Sequence, residues 1–131
     1  TREYIDAFMD MAKSLGVGFV QWIEPKAVGH YAMKDVLLMP EHQAMLEQAL
    51  LDYTYAEAYK DYPLVVYHEY YQRKLGCFAA GNKMVYVDTD GDLMSCPFCH
   101  RKGGSLLSDD FRQSLEGMRT AGCTDFPSVI G

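Results

Sequence analysis

The sequence predicts an α+β chain in two parts: an α/β piece over residues 1–72, and a small β-hairpin-plus-helix cysteine module over residues 73–131. Three observations carry that expectation. Helix-period segments and short apolar runs alternate through the first half, as they do in an α/β layer or barrel. After about residue 72 the pattern changes to two-residue alternation around an Asp-Gly turn. All four cysteines, Cys77, Cys96, Cys99 and Cys123, fall in the second half.

Residues 2–15 predict an amphipathic helix, because Tyr4, Ile5, Phe8, Met9, Ala12 and Leu15 recur at helical spacing and Gly16 follows as a stop. Val17 to Ile23 is a short, mostly apolar run of the kind that forms buried parallel strands. It ends at Glu24-Pro25, and a loop continues through Gly29 to Met39. Pro40 suits a first helical position, and Glu41 suits the positive end of the helix dipole. A long helix is expected to about Tyr59, with Met45, Leu46, Ala49, Leu50 and Tyr53 apolar and Pro63 ending it. Leu64 to Tyr67 is a second short strand.

The boundary between the parts is expected near residues 70–76. Beyond it, Lys83 to Asp88 alternates as a half-buried strand, with Met84 and Tyr86 on one face and Val85 and Val87 on the other. Asp90-Gly91 is a hairpin signal, and Leu93 to Ser95 is the returning strand. Gly103-Gly104 is expected to break the chain. Ser108 then caps a short helix whose apolar face carries Phe111, Leu115 and Met118.

The 131 residues are 49% apolar, which suffices for one modest core or for two small lobes. The formal net charge of −6, from 18 acidic and 12 basic residues, argues against nucleic-acid and anionic-membrane partners. The one basic knot, Arg101-Lys102 beside His100, is too short to reverse that. No apolar run approaches the ~20 residues of a membrane span, and no secretory signal is recognisable. The expected location is therefore cytoplasmic. In a reducing compartment, clustered cysteines are metal ligands or redox groups more often than disulfides.

The cysteines are spaced C-x18-C-x2-C-x23-C, with Gly91 five residues before Cys96. A two-residue gap lets two thiolates reach one metal from a tight knuckle. The hairpin is expected to carry Cys77 close to Cys96, with Cys123 folding back beyond the helix. Four thiolates suit a zinc ion or an iron–sulfur cluster. Cys96-Pro97-Phe98-Cys99 also reads as a redox dithiol, but the glycines that follow oppose the helix such a motif needs. Disulfides would require an oxidising compartment. His100, beside Cys99, is the alternative to Cys123 as fourth ligand. The other histidines, His30, His42 and His68, are scattered and carry no pattern.

The stretch Gly76-Cys77-Phe78-Ala79-Ala80-Gly81, then Val85-Tyr86-Val87-Asp88-Thr89-Asp90-Gly91-Asp92-Leu93 and Cys96-Pro97-Phe98-Cys99, resembles the start of a SPASM or twitch domain. These domains are the C-terminal extensions of many radical S-adenosylmethionine (radical SAM) enzymes. Their pattern opens with a cysteine, a strand, a glycine turn and a cysteine shortly after. This chain has C-x13-G-x4-C, and Gly104-Ser105-Leu106-Leu107 continues the likeness. The upstream helices and strands are similar to the last turns of a partial TIM-type barrel. That resemblance implies one 4Fe-4S cluster on Cys77, Cys96, Cys99 and Cys123, serving electron transfer or substrate anchoring in a radical SAM oxidoreductase or maturase. It also implies that Glu24 and Gly29, on the loop after the first strand, approach S-adenosylmethionine or a peptide or small-molecule substrate.

Two departures shape the expectation. The C-x3-C-x2-C signature of radical SAM enzymes is absent, so these residues bind no catalytic cluster. A full barrel of this kind is longer than the chain. The chain is therefore expected to be a fragment lacking the N-terminal part of its barrel, inactive alone and prone to self-association through its open sheet. A structural zinc module for folding or partner binding is the rival reading. Asp88-Thr89-Asp90-Gly91-Asp92 is taken as a turn rather than a calcium loop, because EF-hand positions six and twelve are Leu93 and Cys99. Tyr55, Tyr59 and Tyr62 are expected to pack rather than stack a ligand.

Overall fold

The structure is a computed structural model that describes residues 1–77, 79, 81–108 and 110–127, without the side chain of His100. It mixes helices and strands, with two small sheets among the described residues. Two compact units divide it, Thr1–Tyr70 and Tyr71–Gly131, and each is described by itself.

The first unit opens with helix α1, Arg2–Ser14. Its end is a Schellman turn: Gly16, at φ +71°, donates its N–H to Lys13 O, and Val17 donates to Ala12 O. Strand β1, Phe19–Trp22, follows. After the loop, helix α2 spans Pro40–Tyr55 with Pro40 in its first turn as expected. Strand β2, Leu64–Tyr67, pairs with β1 in parallel, with Phe19 opposite Leu64 and Trp22 opposite Tyr67. Parallel strands need a crossover, and α2 lies within it.

The core sits on one face of this sheet. Met9 and Ala12 of α1 and Ala49, Leu50 and Tyr53 of α2 pack with Val20, Val65 and Tyr67. Alternation along the strands turns Phe19 and Leu64 the other way, where they are 52% and 61% exposed. α1 divides its apolar residues in the same manner. Met9 and Ala12 are buried, whereas Tyr4, Phe8, Met11 and Leu15 form an exposed stripe at helical spacing. Among the described residues this sheet has two strands and closes no barrel.

α2 stops at Tyr55 rather than Tyr59, because Ala56 turns to an extended conformation. A 3-10 turn over Glu57–Tyr59 then folds the chain back. The reversal stacks Tyr59 and Tyr62 against Tyr53, at ring-centroid distances of 4.3 and 5.3 Å. The packed trio is thus Tyr53, Tyr59 and Tyr62, while Tyr55 points to solvent. A polar brace ties the trio to α1. Arg2 bonds Asp6 at 2.8 Å and Asp52 at 2.6 Å, Tyr53 donates to Asp6, and Tyr62 donates to Asp10. The Arg2 hydrogen bond, and then that from Gln48, hold the Asp52 carboxyl below its usual range. Burial and the bond to Asp6 push the Tyr53 hydroxyl up.

Helix α3, His68–Leu75, follows β2 directly and was not legible in the sequence. The unit boundary falls within it.

In the second unit, strands β3 (Tyr86–Val87), β4 (Asp92–Cys96) and β5 (Cys99–Ser105) form an antiparallel sheet in that order. β3 is shorter than the expected 83–88, because the N–H groups of Asn82, Lys83 and Met84 all turn onto Ala79 O. The Asp90-Gly91 turn forms as expected, with Gly91 at φ +80° and Asp88 Oδ1 accepting from the N–H groups of Asp90 and Asp92. Gly103 and Gly104 do not break the chain but lie inside β5. A Cβ on Gly103 would stand 2.3 Å from Met118 Cγ, so the missing side chain is the socket for that methionine. Met118 belongs to helix α4, Phe111–Ala121, which packs over β4 and β5. Its cap is Asp110, whose Oδ1 accepts from Gln113 N–H at 2.9 Å, rather than Ser108. No helix among the described residues is long and apolar enough to cross a membrane.

Two outcomes follow from this packing. Gly103→Ala is expected to destabilise the second unit by about 1–3 kcal/mol, read as a lower denaturant midpoint. In a Met118→Ala background the same change should cost much less, since the clashing side chain is gone. For the brace, a depressed carboxyl stabilises the fold above the unfolded value, near pH ~4, and loses that contribution as pH falls through its folded value. Asp52→Asn should therefore flatten the acid limb of thermal stability measured by circular dichroism.

Candidate metal centre

All four thiols are free and half-buried. The structure arranges them as two pairs. Cys96 ends β4 and Cys99 opens β5, and the two are cross-strand partners across the turn Pro97-Phe98. No helix starts at Cys96, which removes the support a thioredoxin-type thiolate would need.

The second pair is Cys77 with Cys123, joined through Phe126. Cys77 donates its N–H to Phe126 O at 2.9 Å, while the backbone N–H groups of Phe126 and Asp125 bond the Cys123 sulfur. Gln72 Nε2 donates to Cys77 Sγ at 3.6 Å. Burial pushes the Cys123 thiol up, the two backbone donors pull it down, and the neighbouring Cys77 and Asp125 push it up again. The net direction is upward.

One side chain spans from strand to loop in this region. Arg101, two residues after Cys99, donates to the carbonyl of Gly122, which adjoins Cys123, at 3.2 Å. Even so, among the described residues no three His, Cys, Asp or Glu side chains converge as a metal-binding group. The hairpin does not bring Cys77 into one group with Cys96 and Cys99. The His100 side chain, and Phe78 and Ala80 of the family-like stretch, lie outside the described residues. As a donor set, four free thiols fit a [4Fe–4S] cluster or a zinc ion, and the backbone donors on Cys123 are of the kind that stabilise a ligating thiolate.

The first unit carries the other candidates. Glu24, two residues beyond β1, is only 7% exposed and accepts a hydrogen bond from the fully buried Tyr67 hydroxyl. Gly29 is exposed, at φ +55°, and opens a 3-10 turn over Gly29–Tyr31. Glu24 lines a cleft of about 390 Å³ and Gly29 does not. Sequence reasoning missed Glu69, two residues beyond β2, which is buried beside Lys26 with Oε1 at 3.6 Å and, among the described residues, no hydrogen-bond partner for Oε2. The available signal was that Glu24 and Glu69 stand at the same step after their strands. No family model matches the chain, and comparison with curated proteins and with solved structures found no match.

The raised Cys123 thiol has a direct readout. Its alkylation by iodoacetamide in the metal-free protein, followed by peptide mass spectrometry, should reach half-maximal rate at higher pH than an unstructured peptide cysteine.

Proposed function

We propose that the chain binds one [4Fe–4S] cluster through Cys77, Cys96, Cys99 and Cys123, as the auxiliary-cluster module at the end of a radical SAM-type partial barrel. The observation that carries this reading is the pairing of four free thiols into two half-sites within one small unit. The likeness of residues 76–123 to a SPASM or twitch domain adds to it. Bound, such a cluster would supply electron transfer or an anchoring point for substrate.

The chain's own residues have definable tasks in that reading. The Cys96–Cys99 turn offers two sulfurs from one hairpin. The Asp125 and Phe126 amides stabilise the Cys123 thiolate once its proton leaves, and Gln72 does the same for Cys77. Arg101 restrains the loop carrying Cys123 against the strand that begins at Cys99. In the first unit, the helix-covered parallel strands stand for the end of the barrel. Their bare apolar face and open edges would receive its missing N-terminal part, or a second copy in its absence. S-adenosylmethionine and the peptide or small-molecule substrate belong to that larger assembly. Zinc is the rival occupant, because four thiolates ligate it equally well.

Anaerobic reconstitution of the full chain with iron and sulfide tests the reading. The expected product carries a broad visible absorbance that dithionite bleaches, with iron and sulfide in the ratio of one cluster per chain. Serine at any one of the four cysteine positions should lower the cluster yield or its stability to chelators. Retention of one equivalent of colourless zinc, with no iron taken up, would replace the cluster by the structural zinc site.

A further inference from the structure

We infer that the cleft between the turn over residues 81–85 and helix α4 is a binding site for a small carboxylate carried on an aliphatic body. The inference uses the second unit alone and rests on none of its cysteines. At about 290 Å³ the cleft stands at the small end of small-molecule pockets. Close approach of main chain to helix sets its walls. A Cβ on Gly81 would stand 3.0 Å from backbone atoms of Met118 and Arg119, so the bare glycine lets the turn lie directly on α4. The N–H groups of Asn82, Lys83 and Met84 close onto Ala79 O, which ties down the main chain of the turn while all three residues stay exposed.

The chemistry of the walls selects the ligand. Among the described lining residues the formal charges are those of Lys83 and Arg119, both positive, in a chain whose net charge is −6. Lys83 is exposed and, among the described residues, stands in no ion pair. Arg119 has two contacts, and both leave it able to bind an anion. Its Nε donates to Asn82 Oδ1 at 3.1 Å, and Glu116 Oε2 lies 3.7 Å from Nη1, too far for a hydrogen bond, on a side chain 71% exposed. The two Nη groups therefore keep their donors, in the planar fork that matches the oxygens of a carboxylate. Because arginine only donates, the Asn82 atom facing it is the carbonyl oxygen, and the amide nitrogen remains as a further donor. Two cations against one exposed carboxylate leave the local charge positive, which suits an anion and disfavours a cation. Met84, Val85 and Leu115 complete the walls with apolar surface, which an aliphatic body would cover and a bare inorganic anion would not.

Methionine methyl resonances, read by nuclear magnetic resonance, report on the cleft. Met84 lines it, Met84→Leu assigns the signal, and Met9, fully buried in the first unit, is the reference. The full chain at neutral pH and low salt is titrated with isocaproate, and separately with the isosteric isocaproamide and with isohexylamine. A saturable shift of Met84 but not of Met9 is expected with the carboxylate, at least about fivefold weaker binding with the amide, and none with the amine. Added salt should weaken the carboxylate and leave the amide unchanged. Lys83→Glu, and separately Arg119→Gln, should bring the carboxylate down to the level of the amide, whereas Lys83→Arg should keep it. Lys60→Glu, at an exposed position of the first unit, makes the same change in net charge and should leave binding as it was. Absence of a saturable Met84 shift, equal affinity for carboxylate and amide, or an equal loss in Lys60→Glu overturns the proposal. Full carboxylate affinity in Lys83→Glu, its fold checked by circular dichroism, does the same. None of these results depends on whether the cysteines take up iron.

Discussion

Parallel pairing of β1 with β2 is the constraint from which the first unit is built. Two parallel strands cannot be joined by a tight turn, so the chain must travel over one face of the sheet between them. That crossover contains α2, and α1 joins it on the same side. The alternation of side chains then sorts the strand residues without further choice. Val20, Val65 and Tyr67 enter the core, while Phe19 and Leu64 are left on the uncovered face. The same register sets Glu24 and Glu69 beyond the strand ends, so the cleft at that rim is a by-product of the pairing.

The second unit solves its packing by a different route. Its strands are antiparallel and short, and helix α4 packs over β4 and β5. Close approach is possible because β5 has no side chain at Gly103, where Met118 enters. Leu93 and Met118 thereby become the centre of a very small core. A unit of this size has little apolar burial to spare, and a bound metal commonly supplements such cores.

Local chemistry made part of this readable in the sequence. Pro40 opening α2, the Asp90-Gly91 turn and the strand Leu64–Tyr67 each rest on residues adjacent in the chain, and each forms where expected. What escaped depends on partners distant in sequence. α2 ends early because Tyr59 and Tyr62 return to Tyr53, and the glycine pair extends a strand because Met118 needs the space. The cysteine pattern shows the same division. The Cys96–Cys99 knuckle was visible as a two-residue gap, whereas the neighbour of Cys77 is set by a backbone bond to Phe126, which no spacing encodes.

That bond gives the Phe126 backbone two duties, its carbonyl accepting from Cys77 and its N–H donating to the sulfur of Cys123. In the proposed centre the four sulfurs would then act as two pairs rather than as four independent donors. A pair gathered in advance has already met part of the entropy of bringing its atoms together, so in that reading the incoming metal would meet two sulfurs at its first encounter. Closure onto the second pair would then be an intramolecular step. Departure would run in reverse, and a metal that slipped from one pair would stay tethered by the other, where recapture competes with escape. Such a centre would load in two stages and unload slowly. Phe126, which links the two cysteines, does so only through main-chain atoms, so replacing its side chain leaves the two hydrogen-bonding groups in place.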